Sequence, residues 1–337
     1  MDIGIDLGTA NIMIAIAGKD IVFYEPSVIA FNKNSEDITA IGMDAYRMIG
    51  RAPGNIAVVR PLCDGVISDY DMADTLIREC IQRVTGRQLF MPRIVICVPS
   101  LVTDVEARAV IDAAREAGAR KVYLIEEPVA ALLGAGVDIS KARGRMVVDI
   151  GGGTTDIAVL SMNGIVIKNS VKLAGNKIDA AVMRYVMTRY RVQIGERTAE
   201  NAKISLAEVF SPDGSRKMEV KGIDQVTGLP ARLELTDYDM YKAIIDSINE
   251  LVEAVKELLE KTPPELSADI HDDGILLTGG GALIGGLDKL IAKETGVKTS
   301  VAKDPIRCVA RGTAKAFECM DSLASGFERV SLYGYER

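Results

Sequence analysis

The chain has 337 residues, 48% of them apolar but only 5% aromatic, with no Trp. That length exceeds one ordinary core and suffices for two, built from aliphatic residues and alanine. The net charge of −7 excludes a general nucleic-acid binder, which needs a basic stripe.

The first predicted element is a strand entered at about Ile3. It runs into Ile5-Asp6-Leu7-Gly8-Thr9-Ala10-Asn11 and the apolar stretch Ile12 to Ala17. The pattern reads as strand, tight turn, strand. No signal peptide precedes it, and no apolar run approaches the roughly 20 residues that span a bilayer. A cytoplasmic chain, or one peripheral on a membrane, is therefore expected. An amphipathic helix ends at Val84, and Thr85-Gly86-Arg87-Gln88 turns into Leu89-Phe90-Met91, closed by Pro92 and Arg93. Those three apolar residues either cap the lobe locally or meet a membrane; their types fit both.

Ile94 to Val98 is a continuous apolar strand. Asp104 to Ala117 reads as a helix with Val105, Ala109, Val110 and Ala113 on its inner face. Val122 to Ile125 is a further buried strand, and Glu127 to Gly134 begins the next helix. This alternation predicts an α/β lobe with a largely parallel sheet.

The first hairpin then returns. Val148-Asp149-Ile150-Gly151-Gly152-Gly153-Thr154-Thr155-Asp156 precedes the apolar run Ile157 to Leu160, so two lobes on one plan are expected. Thr236 to Asp239 reads as a capping box. It opens a long helix with Ile244, Ile245, Ile248, Leu251, Val252, Val255, Leu258 and Leu259 on one stripe, stopped by Pro263 and Pro264. Ile275 to Leu277 is a strand leading into Thr278-Gly279-Gly280-Gly281, and a closing helix runs from about Val309 to Met320. Cys63, Cys80, Cys97, Cys308 and Cys319 are odd in number and lack a CxxC spacing, which fits reduced, buried thiols. His271, the only histidine, falls in a predicted loop beside Asp272 and Asp273 and carries no catalytic assignment.

The chemistry lies in the turns. Small residues let backbone N–H groups approach an anion, and Thr9, Asn11, Thr154 and Thr155 add side-chain hydrogen bonds. Asp6 and Asp149 each stand beside such a turn, as suits Mg²⁺, which takes oxygen ligands and keeps several waters. A single hairpin of this kind reads as well as an Asp-capped turn; two related ones favour the phosphate reading. The glycines after Thr278 would let a base or phosphate lie on backbone, or simply make a sharp strand-to-helix connection. Glu200 and Lys203 share a helical face and by themselves fit a surface pair. Glu127, followed by Pro128, fits a helix start.

Together the two hairpins, the turn Gly279-Gly280-Gly281-Ala282-Leu283 and the closing Val309-Ala310-Arg311-Gly312-Thr313-Ala314 resemble the actin, Hsp70 and sugar-kinase superfamily. Further stretches narrow the resemblance to the MreB family with its Mbl relatives. They include Glu25-Pro26-Ser27-Val28, Pro53-Gly54-Asn55-Ile56, Leu124-Ile125-Glu126-Glu127-Pro128 and Thr262-Pro263-Pro264-Glu265-Leu266. The likeness covers nearly the whole chain.

The resemblance implies an α/β, two-lobed, actin-like (ribonuclease H-like) ATPase fold, each lobe having a core subdomain and a smaller insertion. Lobe I is expected over 1–143 with its insertion around 33–65, and lobe II over 144–308 with its insertion around 180–240. Residues 309–337 would form a C-terminal helix returning to lobe I. The implied cofactors are ATP and Mg²⁺, with slow hydrolysis. Asp6 and Asp149 would hold the metal, partly through water. With Glu127, which positions the attacking water, and Thr154, they form the expected catalytic set. Thr9, Ala10 and Asn11 would meet phosphates from one side, and Gly151, Gly152, Gly153 and Thr154 from the other. Glu200 and Lys203 would meet the nucleoside, and Gly280, Gly281, Ala282 and Leu283 would close over the adenosine.

The implied partners are further copies of the chain, as a homopolymer of paired protofilaments, and the proteins of the cell-wall elongation machinery. The filaments would lie on the inner face of the cytoplasmic membrane, touched through Leu89, Phe90 and Met91. A sugar-kinase-like or Hsp70-like ATPase is the alternative. Asp156 departs from many members, which carry Glu there; Mbl-type sequences carry Asp.

Overall fold

The computed structural model describes residues 1–86, 91–331 and 334–336. Two mixed sheets form its frame. The first has seven strands. At its centre the strand Asp2–Leu7 pairs in parallel with Arg93–Val98, which pairs in parallel with Lys121–Glu126. The hairpin partner Asn11–Ile16 and then Ile21–Pro26 extend one edge antiparallel, and Phe327–Ser331 and Gly334–Glu336 extend the other. The second sheet has five strands, in the order Gly164–Val171, Thr155–Ser161, Arg145–Ile150, Ile275–Thr278 and Thr299–Val301. Its hairpin side is antiparallel and its crossover side parallel.

The expectation of a largely parallel sheet is thus corrected. Parallel pairing occurs where a helix carries the chain across the sheet, and each phosphate-type hairpin adds antiparallel strands through its short turn.

Period-2 alternation sorts the core. Ile94, Ile96 and Val98 face Leu76, Ile77, Val110 and Ile111 of the helices Tyr70–Thr85 and Asp104–Glu116, while Val95 and Cys97 face the opposite way. There they meet the helices Glu127–Ala135 and Cys308–Cys319. These also pack on Val147, Ala158 and Leu160 of the second sheet. The two helices are therefore a layer shared by both lobes. They cross at glycine. A Cβ on Gly134 would sit 1.7 Å from the Cys308 carbonyl oxygen, and one on Gly312 would sit 1.7 Å from that of Ala130.

The outer face of the second sheet is covered by Gly175–Tyr190 and Asp237–Lys261. The long helix keeps the expected stripe, with Ile244, Ile248, Leu251, Val252, Val255 and Leu258 buried, and the Thr236–Asp239 capping box is formed. Two small antiparallel sheets project from the frame. One comprises Ile38–Ile41, Ile29–Asn32 and Ile56–Val59, with the short helix Met43–Met48; the other comprises Val192–Gln193, Lys217–Asp224 and Pro230–Thr236.

Several local expectations change. His271 lies in the helix Pro264–Asp273, because Pro264, which cannot continue the previous helix, is well suited to start the next. Val105 is 78% exposed and the buried face of its helix is Ala107, Val110, Ile111, Ala113 and Ala114, a helical spacing that leaves Val105 on the opposite side. Cys80, Cys97 and Cys308 are buried free thiols, but Cys63 is exposed. The turn after Thr278 is a single 3-10 turn, Gly280–Leu283, and the α-helix starts at Leu287.

Candidate functional site

The two hairpin turns meet face to face between the sheets. A Cβ on Gly152 would lie 2.8 Å from Ala10 Cβ, and one on Gly153 would lie 2.5 Å from Thr9 Oγ1 and 2.8 Å from Asp64 Cα. Glycine is required here by the other lobe's backbone. A third loop joins them: the Gly65 N–H donates to Thr9 Oγ1 at 3.1 Å. Gly65 has φ +77°, and its Cβ would meet Thr154 Cγ2 at 2.7 Å. The first turn is braced by Ser27, whose hydroxyl donates to the Gly8 carbonyl at 2.6 Å and whose N–H donates to that of Ala10. The second is braced by the start of helix Gly175–Tyr190, where Gly175 and Asn176 N–H groups donate to the Gly151 and Gly152 carbonyls.

A buried carboxylate stands at the root of each turn. Asp6 accepts from the Cys97 thiol at 3.3 Å, and burial pushes its pKa up to about 6. Asp149 accepts from Thr278 Oγ1 at 2.6 Å. Burial, with the charges of Asp156 and Asp6 adding to it, pushes Asp149 up to about 7 against the effect of that hydrogen bond. Register places Asp156 directly opposite Asp149 in the second hairpin, so the two side chains share a face. Asp156 is fully buried and accepts from the Ser100 N–H at 2.8 Å.

Glu127 closes the group from the shared helix layer. Burial, then the charges of Asp156, Asp149 and Asp6, raise its pKa well above the usual carboxylate range. Its charge is therefore disfavoured beside Asp156, the nearest of these acids in effect.

Further up the cleft, Lys203 Nζ pairs with Asp179 at 2.9 Å and donates to the Gly175 carbonyl at 3.1 Å, while Glu200 accepts from the Tyr46 hydroxyl at 2.5 Å. Gly281 is packed on the Ile150 side chain, whereas a Cβ on Gly280 would meet nothing within 4 Å. Ala282 is buried in the second lobe's core, and Leu283 is 58% exposed. The structure thus gathers Asp6, Thr9, Ala10, Glu127, Asp149, Gly152, Gly153 and Thr154 into one centre. It places Glu200, Lys203 and Gly280 to Leu283 on the second lobe.

Sequence reasoning gave no role to the loop of Asp64 and Gly65, nor to Ser27, Cys97, Thr278 or Asp179. Thr278 alone carried a local signal, standing between a strand end and a glycine run. Leu89 and Phe90 lie outside the described residues; Met91 is 65% exposed. Arg93, which closes that loop, is paired with Asp2 and lies over the Phe317 ring.

A model of the MreB/Mbl protein family matches residues 1–325. The chain belongs to the MreB/Mbl family. It is 48% identical to the cell shape-determining protein Mbl of Bacillus subtilis (strain 168), covering 96% of this chain and 97% of that one. It is 44% identical to the cell shape-determining protein MreB of Escherichia coli (strain K12), covering 95% and 94%. The crystal structure of MreB5 of Spiroplasma citri bound to ADP superposes with a TM-score of 0.90 at 36% identity, over 94% of this chain and 96% of that one. The subunit of a MamK double helical filament superposes at 0.80 with 22% identity, over 94% and 98%, a likeness of fold. The expected two-lobed actin-like fold and the reading as a polymerising cytoskeletal cell-shape protein are borne out; the kinase and chaperone alternatives are not favoured. Among the described residues, no helix is long and apolar enough to cross a membrane.

Proposed function

We propose that this MreB/Mbl-family chain binds ATP with Mg²⁺ between its lobes, hydrolyses it slowly, and couples that cycle to filament assembly. One observation carries the reading: two Gly/Thr turns from separate sheets face each other within van der Waals distance, each with a buried carboxylate at its root. Structures of Spiroplasma citri MreB5 bound to ADP and to AMPPNP, both 36% identical to this chain, support nucleotide as the ligand.

The residues fit a divalent cation. Asp6 and Asp149 are buried, and the donors to them are a thiol and a hydroxyl, which leave their negative charge uncompensated. When bound, magnesium neutralises charge on the β- and γ-phosphates.

Thr9, Ala10, Asn11 and Gly151 to Thr154 hold phosphates in this reading. Lys203 and Glu200 meet the nucleoside, and Gly280, Gly281 and Leu283 with the backbone of Ala282 close over the base. Glu127 orients the attacking water, and Asp156 fixes the direction of the Glu127 carboxyl. The lobe boundaries at 143/144 and 308/309 are kept, with the shared helix layer as the hinge.

Subunits join head to tail, a heterologous contact that does not close and so gives an open filament, with protofilaments paired antiparallel. The filaments lie on the inner face of the cytoplasmic membrane, held through Leu89, Phe90 and Met91, and direct the wall-elongation proteins. The test is sedimentation and electron microscopy with ATP and magnesium, on lipid and off it. Open filaments with phosphate release are expected; monomers or closed rings under all conditions would reject the assignment.

A further inference from the structure

The lobes touch a second time, above the phosphate turns, mainly through side chains. Tyr46, on the short helix of lobe I, donates its hydroxyl to Glu200 Oε2 at 2.5 Å. Arg60 donates Nε and Nη2 to Glu196 Oε1 at 3.1 and 2.7 Å. Arg197 lies over the Tyr46 ring at 4.8 Å and donates to the Arg47 carbonyl at 3.3 Å. The three lobe II residues belong to one helix, Glu196–Leu206.

Beneath these contacts is a cavity of about 350 Å³, with Val28, Val58 and Val59 on one wall and Asn176, Asp179 and Met183 on the other. The lobes are therefore not packed against each other at this level, and separating them here exposes little apolar core. The same helix carries Lys203, which reaches the Gly175 carbonyl, and the Gly175 N–H reaches the Gly151 carbonyl of the phosphate turn. A continuous set of contacts thus runs from Tyr46 to the second phosphate turn.

We propose that Tyr46 and Arg60 are a latch across the mouth of the cleft, and that breaking their contacts to Glu200 and Glu196 sets the rate of nucleotide exchange. The proposal rests on the cleft being the nucleotide site. Burial and the Glu200 hydrogen bond hold the Tyr46 pKa up at about 12, so the hydroxyl stays a donor throughout the physiological range. The Arg60–Glu196 pair is partly exposed, with side chains 20% and 41% accessible. Its share is smaller than that of the tyrosine and is screened by salt.

The experiment follows release of N-methylanthraniloyl-ATP, bound with magnesium, after a chase with unlabelled ATP. Tyr46→Phe keeps the ring under Arg197 and removes the hydroxyl; it is expected to speed release about 10–100-fold, the range for a hydrogen bond to a charged group. Arg60→Gln is expected to speed it about 2–5-fold and to flatten the salt dependence of release. The charge exchange Arg60→Glu with Glu196→Arg should bring release back toward wild type, which neither single change does. The melting temperature of the nucleotide-free chain is measured alongside. Fast release with a nearly unchanged melting temperature supports the latch. Variants that melt early and release normally, or a charge exchange that restores nothing, would overturn it. Failure of the wild-type chain to bind the probe would instead overturn the nucleotide site itself.

Discussion

Thr278 donates its hydroxyl to Asp149 at 2.6 Å, tying the last residue of one strand to the carboxylate of its parallel neighbour. The pairing orients a buried acid whose pKa burial has pushed up to about 7, so the hydroxyl aims the carboxylate without neutralising it. Asp149→Asn keeps an acceptor for Thr278 and removes the charge. Steady-state phosphate release should fall at least 10²-fold, as expected when charge stabilisation at a transferring phosphoryl group is lost, while circular dichroism stays native. Wild-type phosphate release in this variant, or in Asp6→Ala, would sink the metal-side role.

The same two acids give the nucleotide-free chain a pH signature. Asp6 and Asp149 titrate near 6 and 7 in the fold, against roughly 4 when unfolded. The folded state therefore binds protons more tightly. Its extra stability is full below about pH 4 and is lost as pH rises through 6 to 7. Scanning calorimetry without nucleotide should show the melting temperature falling between about pH 4 and pH 7 and levelling off above that, and falling less in Asp149→Asn, which is expected to be about 1–3 kcal/mol more stable than wild type at pH 8. Equal slopes in the two proteins would contradict the burial argument.

Glu127→Gln is expected to bind nucleotide about as well as wild type and to slow single-turnover hydrolysis ~10²–10⁴-fold. Asp156 is among the charges that raise Glu127. In Asp156→Asn the acidic limb of the pH–rate profile should therefore move to lower pH. A single-turnover rate unchanged in Glu127→Gln would return that residue to a plain helix start.

Gly312→Ala tests the shared helix layer. Its Cβ would lie 1.7 Å from the Ala130 carbonyl oxygen, and backbone on both sides cannot move without opening the interface. Destabilisation of about 3 kcal/mol or more is expected in denaturant titration. Gly54→Ala, where a Cβ would meet nothing within 4 Å, should cost less than about 1 kcal/mol.

The pair Leu89→Ser with Phe90→Ser is expected to weaken co-sedimentation with anionic vesicles while filaments still pellet without lipid. Avidity along a filament multiplies a weak contact per subunit. Equal vesicle binding by a variant that still polymerises would remove the loop as the anchor.

The hairpins, their acids and the long amphipathic helix were legible in the sequence. Their signals are local: a period of 2 or 3.6, a Gly/Thr turn after an apolar strand, a capping box four residues long. The repeat of one hairpin 143 residues later even gave the two-lobed plan. What the tertiary structure decided is everything that depends on distant segments meeting. Gly152 and Gly153 read as phosphate-loop glycines, yet Ala10 and Asp64 of the other lobe also demand them. Asp156 looked like a family variant, and strand register made it the neighbour of Asp149 and Glu127. Glu200 by itself fitted a surface pair on a helix, and the fold set Tyr46 against it, with Arg60 against Glu196 one turn earlier. A carboxylate's neighbours set its charge and its partner, and several of them lie far along the chain, Thr278 129 residues from Asp149 and Tyr46 154 from Glu200, where no periodicity reaches.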